Sequence, residues 1–102
     1  MNTFDNIYNV VGKIPRGKVT TYGAISKIIG VDPRVVGYAL HANRDPKNVP
    51  CHRVINSKGK ISSGYAFGGL DIQKKMLIKE GIKFDKENCV DLKEFGYLFS
   101  AF

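Results

Sequence analysis

Gly30, Val31, Asp32 and Pro33 stop one helix and start another within four residues, and no other feature narrows the fold of this chain so far. Glycine ends helices because it enters the left-handed region without steric cost. Aspartate caps helix N-termini, and proline suits the first helical position, where no N–H is needed. Upstream, Thr20 or Thr21 is placed to cap a helix running to about Ile29, with Ile25, Ile28 and Ile29 as its buried side. Downstream, Asp32 and Pro33 open a helix running to about Asn43. Two short helices joined by a tight glycine-containing turn predict a helix-turn-helix. Gly37, Ala39 and Ala42 keep the second helix slim, which suits close approach to a duplex as well as plain helix packing.

The flanking sequence fills in a small, mostly α domain. Phe4, Ile7, Tyr8 and Val11 form one apolar face of a first helix, capped by Asn2 or Thr3 and broken at Pro15 to Gly17. Arg44 to Val49 reads as a loop. Cys51 to Ile55 is short and β-prone, Asn56 to Lys60 reads as a hairpin turn, and Ile61 begins a return strand. Ser62 to Gly69 is a glycine-rich loop. Leu70 to Glu80 is a further helix, with Leu70, Met76 and Leu77 inward and Gly81 as its stop. The aromatic tail (Phe95, Tyr97, Phe99, Phe102) reads as packing. The expected fold is a winged helix-turn-helix-like domain with a short β-hairpin wing, one domain over residues 1–102.

Charge adds a partner class. The net charge is +7, and all of the excess lies in residues 1–60, where ten basic side chains face three acidic ones; residues 61–102 hold six of each. A polyanion is the natural partner, since phosphate neutralisation releases counterions. No apolar run is long enough to span a membrane and the N-terminus lacks a signal pattern, so a cytoplasmic, DNA-associated protein is expected, nuclear if eukaryotic. Two cysteines are too few for a disulfide scaffold, and Cys51, His52, Cys89 and His41 lack the spacing of a zinc site. No metal or cofactor is expected.

Cys51 is the candidate nucleophile. A thiol reacts as thiolate and, with an ordinary pKa of about 8.5, needs a base or a cation nearby. His52 is adjacent, and Arg53 lies beyond it. On an extended segment neighbouring side chains diverge, so His52 reaches Cys51 only through a water or a bent backbone. By residue type alone a Cys-His dipeptide is a weak signal.

Its context is specific. Pro50-Cys51-His52-Arg53-Val54-Ile55 resembles the active-site signature of the O6-alkylguanine-DNA alkyltransferases (methylated-DNA–protein-cysteine methyltransferases). Ile14 to Gly23 is similar to that family's entry to its helix-turn-helix. Arg34-Val35-Val36-Gly37 and Asn43 are similar to its recognition helix and hinge. Gly64-Tyr65 and Gly68-Gly69-Leu70 are similar to its substrate loop, and Glu80-Gly81 to the end of its last shared helix. The resemblance covers roughly Val11 to Leu92.

The resemblance implies a direct-reversal DNA repair protein, acting once and without cofactor as a monomer on duplex DNA holding O6-alkylguanine. Cys51 would take the alkyl group as a thioether. His52 would accept the thiol proton through a water, oriented by Glu80. Tyr22 would donate a proton toward the departing guanine and crowd the phosphate. Asn43 would brace the turn before the cysteine. Arg34 would fill the gap left by a base flipped into the protein. The helix carrying Gly37 and Ala39 would lie in the minor groove, with Thr21 and Arg53 as further DNA contacts. Tyr65 with Gly64, Ala66, Phe67 and Gly68 would form the base pocket.

The sequence departs from the pattern in two places. The N-terminal domain common in the family is expected to be missing. The substrate loop is about one residue longer on each side of Tyr65, and Phe67 stands where relatives have a small residue or none. The rival reading is an alkyltransferase-like damage-recognition protein, a group of similar length that carries another residue, usually tryptophan, at the cysteine position. A plain winged-helix regulator leaves Cys51, His52 and Glu80 unexplained.

Overall fold

The computed structural model describes residues 2–61, 68–97 and 99, the Leu70 side chain excepted. Helices α1 (Thr3–Val11), α2 (Tyr22–Ile29) and α3 (Pro33–His41) pack on one another. A short strand β1 (Thr20–Thr21) precedes α2. A single 3-10 turn (Cys51–Arg53) leads into β2 (Val54–Ile55), followed by α4 (Gly69–Lys79) and α5 (Leu92–Phe95).

The caps follow the sequence. Asn2 Oδ1 accepts from Asp5 N–H, Thr21 Oγ1 from Ala24 N–H, and Asp32 Oδ1 from Arg34 N–H. Gly30 ends α2 at φ +84°, and its N–H reaches the Ser26 carbonyl at 2.8 Å. Pro33 opens α3. The mostly helical, helix-turn-helix expectation therefore holds. On α2, however, Ile28 is exposed and Ser26 is buried in its place, its hydroxyl donating to the Val31 carbonyl across the turn. A side chain that satisfies the turn backbone outweighs the apolar spacing there.

The sheet corrects the sequence reading. The Asn56 to Lys60 turn forms, closed by Asn56 N–H to the Lys60 carbonyl at 3.0 Å. Yet β2 does not pair with a return strand at Ile61, so the described residues contain no hairpin wing. It pairs in parallel with β1, Thr20 opposite Val54 and Thr21 opposite Ile55. The reason is burial on both faces, the usual situation of parallel strands. Val54 enters one apolar cluster with Ile7, Val11, Ile25, Val36 and Leu40, while Ile55 enters a second with Val19, Leu77, Ile82 and Val90.

Two further contacts tie the layers together. Tyr8 O–H donates to the Ala39 carbonyl at 2.7 Å, satisfying an acceptor in the last turn of α3 from α1. The C-terminal segment lies along β1, with Val19 N–H to the Phe95 carbonyl at 2.9 Å and Tyr97 N–H to the Val19 carbonyl at 2.7 Å. Tyr97 and Phe99 meet edge to face and cover the first cluster, as packing. Among the described residues no helix is long and apolar enough to cross a membrane.

Candidate functional site

Asn43 builds the platform for Cys51. It is buried just past α3, donates through Nδ2 to the Val49 carbonyl at 2.9 Å, and accepts from Asp45 N–H through Oδ1 at 2.9 Å. The loop is thereby pinned at both ends. Val49 also accepts from Cys51 N–H at 2.7 Å, and Pro50 accepts from Arg53 N–H at 2.9 Å. The segment is thus a 3-10 turn, not the extended run that its β-prone residues suggest. With three residues per turn, successive side chains fan outward in three directions.

Cys51 points into the first apolar cluster and is only 5% exposed. Burial pushes its thiol above the ordinary value, against weaker lowering by Asn43 and by the backbone N–H groups of Cys51 and His52. The resting sulfur is a thiol at neutral pH, so a base has to take its proton during any reaction.

His52 follows Cys51 in the 3-10 turn and is buried, with Nε2 at 2.9 Å from Glu80 Oε2. Glu80 caps the end of α4. Arg53 grips the same carboxylate with a fork: Nε to Oε1 at 2.9 Å and Nη2 to Oε2 at 2.7 Å. Burial pushes Glu80 up, but the hydrogen bonds from Arg53 and then His52 outweigh it and hold its carboxyl below the usual range. Burial also lowers the His52 pKa, against a smaller opposing pull from Glu80. A carboxylate that is ionised only accepts, so Nε2 carries the proton and Nδ1 presents a lone pair. Nδ1 is buried and has no partner among the described residues.

Arg53 was expected on DNA; it lies inward instead, its third contact running from Nη1 to the Ile14 carbonyl at 2.8 Å. An acid on the neighbouring helix end claims the guanidinium. Ala39, expected in a groove, has no exposed surface and belongs to the first cluster. On α3 it faces the core, while Arg34, Gly37 and Tyr38 share the outer side. Arg34 is exposed and paired with Asp32 at 3.3 Å. Gly37 has open space where a side chain would stand. Thr21 caps α2 and Tyr22 starts it, half-buried against the cluster that holds Cys51. Gly68 directly precedes α4 at φ +136°. Gly64, Tyr65, Ala66 and Phe67 lie outside the described residues. A cavity of about 380 Å³ near the start of α4 is lined by Lys60, Asp71, Lys74 and Phe84, with Ile61, Glu87 and Asn88, and by none of the expected site residues.

Two residues escape the sequence reading. Gln73 is buried, and its Nε2 donates to the carbonyls of His52 at 3.1 Å and Val54 at 3.3 Å. Its spacing from Leu77, four residues on, was the available signal; glutamine is usually outside. Tyr38 is 64% exposed on the outer side of α3.

The chain is similar to known proteins in sequence and fold. The family described as 6-O-methylguanine DNA methyltransferase, DNA binding domain, matches residues 2–82. A methylated-DNA–protein-cysteine methyltransferase of Pyrobaculum aerophilum is 44% identical over 76 residues, 74% of this chain and 50% of that protein. Alkyltransferase-like protein 1 of Schizosaccharomyces pombe is 40% identical over 92 residues, 88% of this chain and 85% of that protein. The structure of S. pombe Atl1 in complex with damaged DNA containing O6-carboxymethylguanine superposes with a TM-score of 0.80 at 34% identity, covering 94% of each chain. The chain spans from about a third to half of the length of the first methyltransferases it matches, 32% of one and 50% of another.

Proposed function

Since the chain belongs to the O6-methylguanine DNA methyltransferase family, we propose that it binds duplex DNA containing O6-alkylguanine and takes the alkyl group onto Cys51. The observation that carries this reading is the buried His52 Nδ1, left without a partner among the described residues while Glu80 holds Nε2, on the residue that follows Cys51 in the same turn.

In the proposed reaction, His52 removes the Cys51 proton through a water. The sulfur attacks the alkyl carbon, an S–C bond forms and the C–O6 bond breaks. The bonding pair returns to guanine, which regains a proton with Tyr22 as donor. The product thioether has no good leaving group, so each molecule acts once. Asn43 holds the turn that presents Cys51. The duplex lies along the outer side of α3 with its minor groove toward Gly37 and Thr21, and Arg34 occupies the space of the flipped nucleotide. The family resemblance assigns the base pocket to Gly64, Tyr65, Ala66, Phe67 and Gly68, the first four of which lie outside the described residues. The protein acts as a monomer.

A second reading, damage recognition without transfer, draws on the burial of Cys51 and its raised pKa, and on the near full-length similarity to Alkyltransferase-like protein 1. One experiment separates the two. Incubation with a duplex bearing one O6-methylguanine should add one methyl mass to the peptide holding Cys51. An unmodified protein that still binds the duplex supports the second reading. Arg34→Ala should slow transfer from the duplex more than transfer from free O6-benzylguanine.

A further inference from the structure

Among the described residues the Arg53 side chain makes three hydrogen bonds, and none of them reaches outward: two grip both oxygens of Glu80, and the third holds the Ile14 carbonyl, three residues past the end of α1. We propose that Arg53 is a positioning residue for His52, locking the Glu80 carboxylate in the one orientation and ionisation state that fix the imidazole with its proton on Nε2 and its Nδ1 lone pair free.

The fork fixes the carboxylate. A guanidinium on both oxygens of a carboxylate fixes its plane as well as its charge, which a point charge cannot do. Oε2 then lies 2.9 Å from Nε2, with its remaining lone pair the acceptor for that proton. Were Glu80 to rotate or take up a proton, Nε2 could lose its acceptor and the proton could move to Nδ1, the position that has to be empty for a base. The anchor at Ile14 explains why the fork does not swing with the side chain. Nearby, Arg16 Nη2 donates to the Lys79 carbonyl at 3.0 Å, and Gly17 at φ +87° would put a Cβ 3.4 Å from the Glu80 carbonyl. The segment from Ile14 to Gly17 and the end of α4 are thus held together from both sides of Glu80.

Among the described residues the charged groups that face His52 are Glu80, from the end of α4, and Arg53, from its own turn; α4 also contributes the neutral Gln73, on the His52 carbonyl. The positive charge of Arg53 works with burial to keep the imidazole neutral. Its removal should therefore raise the His52 pKa, not lower it.

The effect on rate rests on the reading of Cys51 as nucleophile; the effect on His52 does not. The test uses the whole chain as wild type, Arg53→Met and Arg53→Lys. Imidazole 15N shifts recorded across pH report the tautomer and titration of His52. In wild type the Nε2–H form should dominate. Arg53→Met should mix in the Nδ1–H form and move the titration up by about half a unit or more. Arg53→Lys, with charge but no fork, should keep the titration nearer wild type and still mix the tautomers. Cys51 alkylation by O6-benzylguanine should slow about 10- to 100-fold in Arg53→Met, and its acid limb should move to higher pH. Wild-type tautomer and titration in both variants would overturn the proposal. If Arg53→Met does not fold, Arg53→Lys decides by its tautomer. A wild type that shows the fixed tautomer but transfers no alkyl group sinks the transfer reading and leaves this one standing.

Discussion

His52 and Glu80 stand 28 residues apart in the chain and 2.9 Å apart in space, one on the turn after Pro50 and the other on the residue that caps the C-terminal end of α4. Neither side chain is more than a tenth exposed. The pair exists only because α4 packs its C-terminal end against the 3-10 turn, so loss of Glu80 is felt in the fold as well as in the chemistry. Glu80→Ala leaves the guanidinium of Arg53 buried without its anion. Breaking a buried pair from one side costs about 3 to 5 kcal/mol. Urea unfolding of Glu80→Ala should show a loss of that size, and one below about 1 kcal/mol would mean the ion pair is solvated.

Stability should form a plateau between two pH edges. His52 has a folded pKa below its unfolded one, so the fold is favoured above about 6.5 and loses that contribution as pH falls through the lowered value. Glu80, also lowered, adds to the same acid edge further down, below about 4.3. Cys51 is raised, so its contribution is complete below about 8.5 and lost as pH climbs toward the folded value. Thermal melts from pH 4 to 10 should decline on both sides, and Cys51→Ala should flatten the alkaline edge alone. An alkaline edge that persists unchanged in Cys51→Ala assigns it to other groups.

The two sides of α3 should respond in opposite ways. Ala39 has no exposed surface, and Ala39→Leu forces extra volume into a packed cluster at a cost of about 1 to 3 kcal/mol. Tyr38, one residue earlier and 64% exposed, should be replaceable by alanine within about 0.5 kcal/mol. If the duplex lies along this side, Tyr38→Ala should weaken duplex binding in a gel-shift titration while leaving the reaction with free O6-benzylguanine unchanged. Equal melting temperatures for Ala39→Leu and wild type would contradict the burial of Ala39.

The sequence made the helices legible where short-range chemistry decides them: Asn2, Thr21 and Asp32 as caps, Gly30 as a stop, Pro33 as a start. It also brought Cys51, His52, Glu80 and Asn43 together as candidates, through a resemblance rather than through spacing. What it hid depends on partners distant in the chain. The parallel pairing of Val54 with Thr20 needs two cores, one on each face of β2. The inward turn of Arg53 needs an acid at the end of a helix 27 residues on. Ala39 looked like a groove residue because a small side chain suits close packing on either side of a helix, and residue type does not say which.

Gln73 offers the sharpest test of how the His52 backbone is held. The 3-10 turn and β2 leave the carbonyls of His52 and Val54 facing α4, and the Gln73 amide supplies both donors from there. The residue is buried, so no bulk water replaces the amide if it is removed. Gln73→Ala then strands two carbonyls, and a stranded buried acceptor costs about 1 to 3 kcal/mol. In a chain of this size each kcal/mol lowers the melting temperature by about 4 to 8 °C. Gln73→Glu should be worse still, because a carboxylate directs lone pairs at the same two oxygens and gains no compensating cation. A calorimetric scan should therefore rank wild type above Gln73→Ala and Gln73→Ala above Gln73→Glu at pH 7. The gap between the two variants should narrow as pH falls and the new carboxyl protonates into a donor. The reverse order at neutral pH would show that the amide does not hold this turn.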